Sequence, residues 1–193
     1  MIGIIPRMWL VTLRKLGTAP QIAAVLARVG RAADFDYSLD QPYDDHECAL
    51  LMQASQDTLG LSEAELFDAF ALTFIQDSAQ RWPVWFEMAP SARDFLERQP
   101  RIHDRFCSGL SRPGTAPQDL AAKFEISTIP NGLKVFYRSP NRLCRLYMAL
   151  ARALLMHYAD RQATLHEPVC THQGHSHCEI HILWPAQEPA CTA

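Results

Sequence analysis

The chain has 193 residues, of which 48% are hydrophobic and 20% are charged, and its formal net charge is −3. A chain of this length forms one domain with a sizeable core, and its slight negative charge argues against nucleic-acid binding as its main activity. No apolar run approaches the roughly 20 residues needed to cross a bilayer. The first residues lack the features of a secretory signal, so we expect a cytoplasmic protein that does not bind membranes.

Helical spacing of apolar residues dominates the first two thirds of the chain. Gly17 and Gly30 are placed to end the first two helices. Pro100 lies inside the helix that carries His103 and predicts a kink or a break there. The predicted helices cover Trp9 to Leu16, Gln21 to Val29, the segment capped by Asp44 and Asp45, the segment from the capping box Ser62–Glu65 to Trp82, and a segment from about Ala92 through His103.

The pattern changes after residues 112–118, which are rich in proline and glycine and predict a seam between two lobes. Residues 130–132 then read as a hairpin turn. The later elements are strands at 123–129 and 133–137, an apolar helix at 143–158, strands at 163–167 and 179–184, and a tail at 185–193. We therefore predict one α+β domain over 1–184, with a helical lobe (1–111) and a lobe of antiparallel sheet with one long helix (119–184).

One histidine and one polar cluster are candidates for a binding site. His103 lies on an apolar-faced helix, and Tyr137, Ser139 and Arg142 lie together before the later helix. An imidazole can ligate haem iron, while hydroxyls and a guanidinium can hold propionates. The alternative is a purely structural role, with a hydrogen-bonded histidine and a helix that Ser139 caps. Neither half decides the matter alone.

Four segments, in order along the chain, resemble a known family. They are Met1 to Ile5, Ile102-His103, Tyr137 to Cys144, and Cys170 to Cys178. With the two-lobe pattern, they resemble the haem nitric oxide/oxygen binding (H-NOX) domain of the bacterial stand-alone type, over residues 1 to about 184. The resemblance implies haem b held between a helical lobe and an α+β lobe.

The resemblance also implies which residues bind haem. They are His103 at the iron, Tyr137, Ser139, Asn141 and Arg142 at the propionates, and Pro117 in the seam. Asn141 occupies the position of the family's arginine, and a neutral amide cannot form a charged, bidentate pair with a carboxylate. Either Arg142 reaches round to the propionate, or one propionate is held less tightly.

The gas-binding pocket implied by the resemblance is lined by Ile5, Trp9, Phe74, Ser78 and Leu146. Leu146 stands where oxygen-binding members have a tyrosine that donates to the ligand, and Phe74 stands where they have a polar residue. Tyr147, the residue after Leu146, is expected to point away from this pocket. Oxygen needs a hydrogen-bond donor and nitric oxide does not, so we expect this pocket to favour nitric oxide. Ile5 and Leu146 fit a plain core equally well.

The C-terminal part carries a possible second metal site. Cys144, His166, Cys170 and Cys178 could form a tetrahedral Cys3His site, which suits zinc and resembles the cluster of some bacterial H-NOX proteins. Three residues separate His166 from Cys170, whereas two are usual in the family. His172 or another nearby histidine is therefore an alternative ligand. A polar surface hairpin is the other interpretation, and thiolate ligands would allow redox sensing. The remaining cysteines, whose spacing pairs them with no other candidate ligand, are Cys48, Cys107 and Cys191.

The resemblance implies a haem-based nitric oxide sensor that is not an enzyme. In the family, loss of the Fe–His bond relaxes a distorted haem and shifts the lobes. Because the chain carries no kinase, cyclase or phosphodiesterase motif, the output requires a partner, which in the family is a sensor histidine kinase or a cyclic-di-GMP enzyme. The alternatives are a haem-poor zinc-thiolate redox sensor of the same fold, and a domain that binds an apolar small molecule or another protein.

Overall fold

The computed structural model describes residues 1–109 and 124–186, with the side chains at 104–109 and 124 excepted. These ranges form helices and a four-stranded antiparallel sheet, which confirms the predicted α+β class. The helices are α1 (Ile4–Leu16), α2 (Ala19–Arg28), α3 (Asp45–Leu59), α4 (Glu63–Arg81), α5 (Pro83–Glu87), α6 (Ala92–Gly109) and α7 (Cys144–His157). The strands are β1 (Phe124–Ile129), β2 (Gly132–Tyr137), β3 (Thr164–Val169) and β4 (Cys178–Leu183). The predicted seam at 112–118 lies outside the described residues.

The helix boundaries follow the capping residues. Asp44 accepts hydrogen bonds from the backbone N–H groups of His46 and Glu47 at 2.8 and 3.1 Å, and so caps α3. Ser62 and Glu65 form the predicted capping box at the start of α4. These interactions are local, so the sequence alone is enough to predict them.

The helix α6 is continuous across Pro100. A break at this proline was one of the two predicted outcomes, and it does not occur. A proline removes one backbone donor, but the hydrogen bonds of the turns before and after it can still form. His103 therefore lies on the same helix as Phe95 and Leu96, which are both buried.

The core of the helical part is organised around Trp9. Its indole is 1% exposed. Trp9 lies on α1, and its indole N–H donates to Ser55 Oγ on α3 at 3.0 Å. The ring lies 5.9 Å from Phe67 and 5.4 Å from Phe70, both on α4. One side chain therefore joins three helices through packing and one satisfied polar contact.

The sheet has the strand order β1-β2-β4-β3. Asn131, with a φ of 57°, makes the turn between β1 and β2. Along β4, the buried Cys178, Ile180 and Ile182 alternate with more exposed residues, so one face of the sheet is covered. The helix α7 packs against α4, and the ion pairs Arg145–Glu63 and Arg152–Asp68 lie along the exposed edge of that contact.

Within the described ranges, no helix combines the length and the apolar character that crossing a membrane requires.

Candidate functional site

A cavity of about 250 Å³ lies between the helices and one end of the sheet. Its walls are mostly apolar and aromatic, which is typical of a site for an organic ligand. The helices α1, α4, α5, α6 and α7 contribute to it, together with Tyr137 at the end of β2 and the segment that follows.

The α6 wall of the cavity carries His103. Phe95, Leu96, Gln99 and Ile102 line the same wall, at the three- and four-residue spacing of one helix face. The His103 side chain is half-buried. A mostly apolar helix face thus presents a single imidazole to the cavity.

The end of the cavity beside β2 carries hydroxyl and amide groups from Tyr137, Ser139 and Asn141. Ser139 is 9% exposed, and its Oγ accepts a hydrogen bond from the backbone N–H of Asn141 at 3.3 Å. Burial raises the pKa of Tyr137, and a hydrogen bond with the Ser139 side chain opposes that shift. These groups offer neutral hydrogen bonds to a polar substituent of a ligand.

Arg142 does not line the cavity. It has a left-handed backbone conformation, with a φ of 51°. Its guanidinium donates to the carbonyl of Thr171 at 2.7 Å, and its own carbonyl accepts from His172 Nε2 at 2.9 Å. Of the two possibilities that the sequence left open, this geometry favours the one in which Arg142 does not reach round to the cavity. Arg142 instead holds the turn before α7 to the loop after β3.

Four of the residues predicted for the gas-binding pocket line the cavity, namely Ile5, Phe74, Ser78 and Leu146. Trp9 does not, because its indole is buried in the core between α1, α3 and α4 with its N–H bonded to Ser55. Pro117, the remaining residue predicted to bind haem, lies outside the described residues.

Tyr147 lines the cavity, so the expectation that it points elsewhere is wrong. Adjacent residues of a helix are about 100° apart, and the cavity is wide enough for Leu146 and Tyr147 both to border it, with Leu150 and Leu154 further along α7. The Tyr147 hydroxyl donates to Gln99 Oε1 at 2.9 Å and so connects α7 with α6. One signal in the sequence indicates Gln99, because this residue precedes His103 by one helical turn.

A second site lies beside the cavity, at the start of α7. Cys144, Cys170 and Cys178 are 0%, 3% and 0% exposed, and their sulfur atoms and a carboxylate oxygen of Glu167 all lie within 4.8 Å of one another. The Sγ atoms of Cys144 and Cys170 are 3.8 Å apart. The backbone N–H of Thr171 donates to Cys178 Sγ at 3.2 Å. We call these four residues the thiol cluster.

Burial and neighbouring negative charge keep two of these thiols protonated. Burial is the largest cause that raises the pKa of Cys144, and the charge of Glu167 raises it further. Burial also raises the pKa of Cys170, partly offset by a hydrogen bond from the backbone of His172. A divalent cation would reverse this preference, because metal ligands bind as thiolates.

His166 is not part of the thiol cluster. It is exposed and pairs across the strands with His181, whereas Glu167 is half-buried and lies within the cluster. His172, the other predicted ligand, is exposed and bonded to the Arg142 carbonyl. Cys48 is buried in α3, the side chain of Cys107 is not described, and Cys191 lies outside the described residues.

The chain matches one family model, and its fold matches several solved structures. The family model is described as Haem-NO-binding and covers residues 2–166. An oxygen-binding H-NOX domain related to soluble guanylate cyclases is similar with a TM-score of 0.78 and 17% identity, over 100% of this chain and 98% of that one. An H-NOX protein from S. oneidensis in the Fe(II)NO ligation state is similar with a TM-score of 0.77 and 18% identity, over 96% of this chain and 99% of that one. At these identities the structural likeness concerns the fold, and no curated protein matches the chain.

Proposed function

The chain belongs to the Haem-NO-binding family, and from this premise we propose that it is a haem-based nitric oxide sensor that signals to a separate protein. The observation that carries the proposal is the cavity in which one imidazole and a set of neutral hydrogen-bonding groups share otherwise apolar walls. Haem requires an axial ligand, apolar contact for the macrocycle, and polar partners for its propionates. The donor set of this cavity fits those requirements.

In this proposal each group of cavity residues has a distinct role. His103 would hold the haem iron through its imidazole from α6. Tyr137, Ser139 and Asn141 bind the propionates through neutral hydrogen bonds, and the Arg142 guanidinium remains on the Thr171 carbonyl. Bound haem would supply a ferrous iron as the binding site for nitric oxide.

The apolar character of the remaining walls supports a preference for nitric oxide. Of the four predicted pocket residues on the cavity wall, Ile5, Phe74 and Leu146 carry no hydrogen-bond donor and Ser78 offers a single hydroxyl. Distal donors help to decide whether a haem pocket binds oxygen. The Tyr147 hydroxyl already donates to Gln99 Oε1. In this proposal that bond keeps the hydroxyl from donating a hydrogen bond to an oxygen ligand.

The signal is proposed to travel through the position of α6. This helix carries His103, and the Tyr147–Gln99 hydrogen bond holds it to α7 one turn earlier. Release of the histidine would leave α6 held to α7 by that bond and by apolar packing, so the two helices could shift. A partner responds only if its affinity differs between the two arrangements. We propose a sensor histidine kinase or a cyclic-di-GMP enzyme as that partner, and no catalytic role for this domain itself.

Ligand selectivity tests this function. Ferrous, haem-loaded protein is exposed to nitric oxide without air, and separately to air, and its absorption spectrum is recorded. We expect a stable nitric oxide complex and no stable oxygen complex. An oxygen complex that persists in air would contradict the pocket argument.

A second function is favoured by the thiol cluster. Three buried thiols and a carboxylate with mutually close ligand atoms have the composition of a structural zinc site, whose thiolates can be oxidised. We therefore propose zinc binding, and with it a redox response, as a function that does not require haem. Metal analysis of protein purified without added zinc tests it, since a zinc content near zero would contradict it.

A further inference from the structure

We propose that Glu167, and not a histidine, supplies the fourth zinc ligand, so that the thiol cluster forms a Cys3Glu site. This inference rests on the proposed zinc function and adds to it the identity of the last donor. It replaces the Cys3His set expected from the family resemblance, which relied on His166.

The path of β3 brings Glu167 to the thiols. Leu165 pairs with the buried Ile182, and His166 pairs with His181 on the opposite, more exposed face. Because side chains alternate along a strand, the next residue, Glu167, returns to the inner face. The register then shifts between His166 and Val169, so the strand has an irregularity beside the cluster.

The Glu167 carboxylate has an incomplete set of polar partners at this position. Its Oε1 atom is buried and has no hydrogen-bond partner among the described residues. A buried carboxylate oxygen without a hydrogen-bond partner is costly, because it loses its hydration. A cation placed between Glu167 and the three sulfur atoms would remove that cost.

The spacing of the sulfur atoms suits zinc. Zn–S bonds of about 2.3 Å in a tetrahedron place neighbouring sulfur atoms about 3.8 Å apart. The Cys144 and Cys170 Sγ atoms lie 3.8 Å apart. The backbone N–H of Thr171 bonded to Cys178 Sγ supplies a contact outside the ligand set of the kind that stabilises a thiolate. Zinc also accepts carboxylate oxygen as a ligand, so all four groups are chemically suitable.

The neighbouring histidines are placed for other contacts. His166 is exposed on the face of the sheet opposite the cluster. His172 is exposed and bonded through Nε2 to the Arg142 carbonyl. Either would have to leave its present position to reach the sulfur atoms, whereas Glu167 already lies among them.

The experiment compares Glu167→Gln with the adjacent control His166→Ala in the full chain. Reduced, metal-free proteins are titrated with zinc against a chromophoric chelator, and with Co²⁺ to record the thiolate charge-transfer band. We expect one zinc per wild-type chain and a zinc affinity at least about tenfold weaker in Glu167→Gln. The thiolate band should remain in that variant, because its three cysteines are unchanged. His166→Ala and His172→Ala should stay within about twofold of wild type.

X-ray absorption of the zinc-loaded wild-type protein gives a readout that does not depend on how any variant folds. We expect three sulfur neighbours, one oxygen neighbour and none of the outer-shell scattering of an imidazole. Imidazole scattering, or a zinc affinity unchanged in Glu167→Gln and weakened in His166→Ala or His172→Ala, would overturn the assignment of Glu167 and leave zinc binding intact. A wild-type protein that binds no zinc would overturn the zinc function itself, and the assignment with it.

Discussion

Replacing Asn141 by arginine should tighten haem binding. Asn141 lines the cavity beside Ser139 and offers only neutral hydrogen bonds, while the Arg142 guanidinium lies 2.7 Å from the Thr171 carbonyl. A hydrogen bond to a charged group contributes about 1.5–3 kcal/mol, and a neutral one about 0.5–1.5 kcal/mol. The exchange should therefore contribute about 1–1.5 kcal/mol. Since 1.4 kcal/mol corresponds to a factor of ten, the haem Kd should fall roughly five- to twelvefold.

Competition with a haem-accepting protein measures that Kd. Asn141→Gln is the matched control, because it lengthens the side chain without adding charge, and we expect a change of less than about twofold. The gain in Asn141→Arg should shrink at high ionic strength, because salt screens the new charge pair. An unchanged Kd in Asn141→Arg, or an equal gain in Asn141→Gln, would refute the reasoning. A tenfold loss in Arg142→Ala would also refute it, since it would indicate that Arg142 reaches the propionate when haem is bound.

Two further predictions concern stability. Tyr147→Phe should lower the free energy of unfolding by about 1–3 kcal/mol in denaturant titration, because it removes the donor bonded to the part-buried Gln99 Oε1. Glu47 accepts hydrogen bonds from Arg31 and Tyr37, and the Arg31 bond is the main cause that holds the pKa of this carboxyl below its ordinary value. A lowered folded-state pKa stabilises the fold above the unfolded-state pKa of about 4.3, and this contribution is lost as the pH falls through the folded-state value. Glu47→Gln should therefore be destabilising near neutral pH, and its deficit should shrink as the pH is lowered below the unfolded-state pKa.

Each stability prediction has a clear contrary result. Equal unfolding free energies for wild type and Tyr147→Phe would mean that the bond to Gln99 contributes nothing in solution. A deficit in Glu47→Gln that is the same at neutral and acid pH would mean that it does not arise from the ionised carboxylate.

The sequence predicted those features that depend on neighbouring residues. The caps at Asp44 and at Ser62 were predicted because each forms hydrogen bonds within three residues. The α+β class was predicted from the change in apolar periodicity after the proline-rich segment. His103 could be singled out because the family resemblance assigns it a role; a histidine on an apolar helix face would not by itself have been enough.

The directions of several side chains could not be predicted, since they depend on residues distant in sequence. Trp9 is fixed by Ser55, which is 46 residues away, and that contact keeps its ring off the cavity wall. Arg142 is directed by a positive φ and by the Thr171 carbonyl, 29 residues away. Neither contact has a signature in the sequence.

Glu167 is different, because the sequence did contain a signal. The alternation of β3 places Leu165 and Glu167 on one face and His166 on the other. The chemistry of imidazole and the family resemblance both favour a histidine as the ligand. Strand alternation, applied first, would have placed Glu167 on the same face as the core.

The absorption spectrum of haem-reconstituted protein tests the central claim most directly. Wild type, His103→Ala and the control His46→Ala, whose histidine is exposed at the start of α3, are titrated with haem under reducing conditions and then with nitric oxide. We expect a Soret band at one haem per chain in wild type and in His46→Ala, a shift of that band on adding nitric oxide, and an altered or absent band in His103→Ala. No Soret band in wild type, or an identical band in His103→Ala, would contradict the assignment of His103 as the haem ligand.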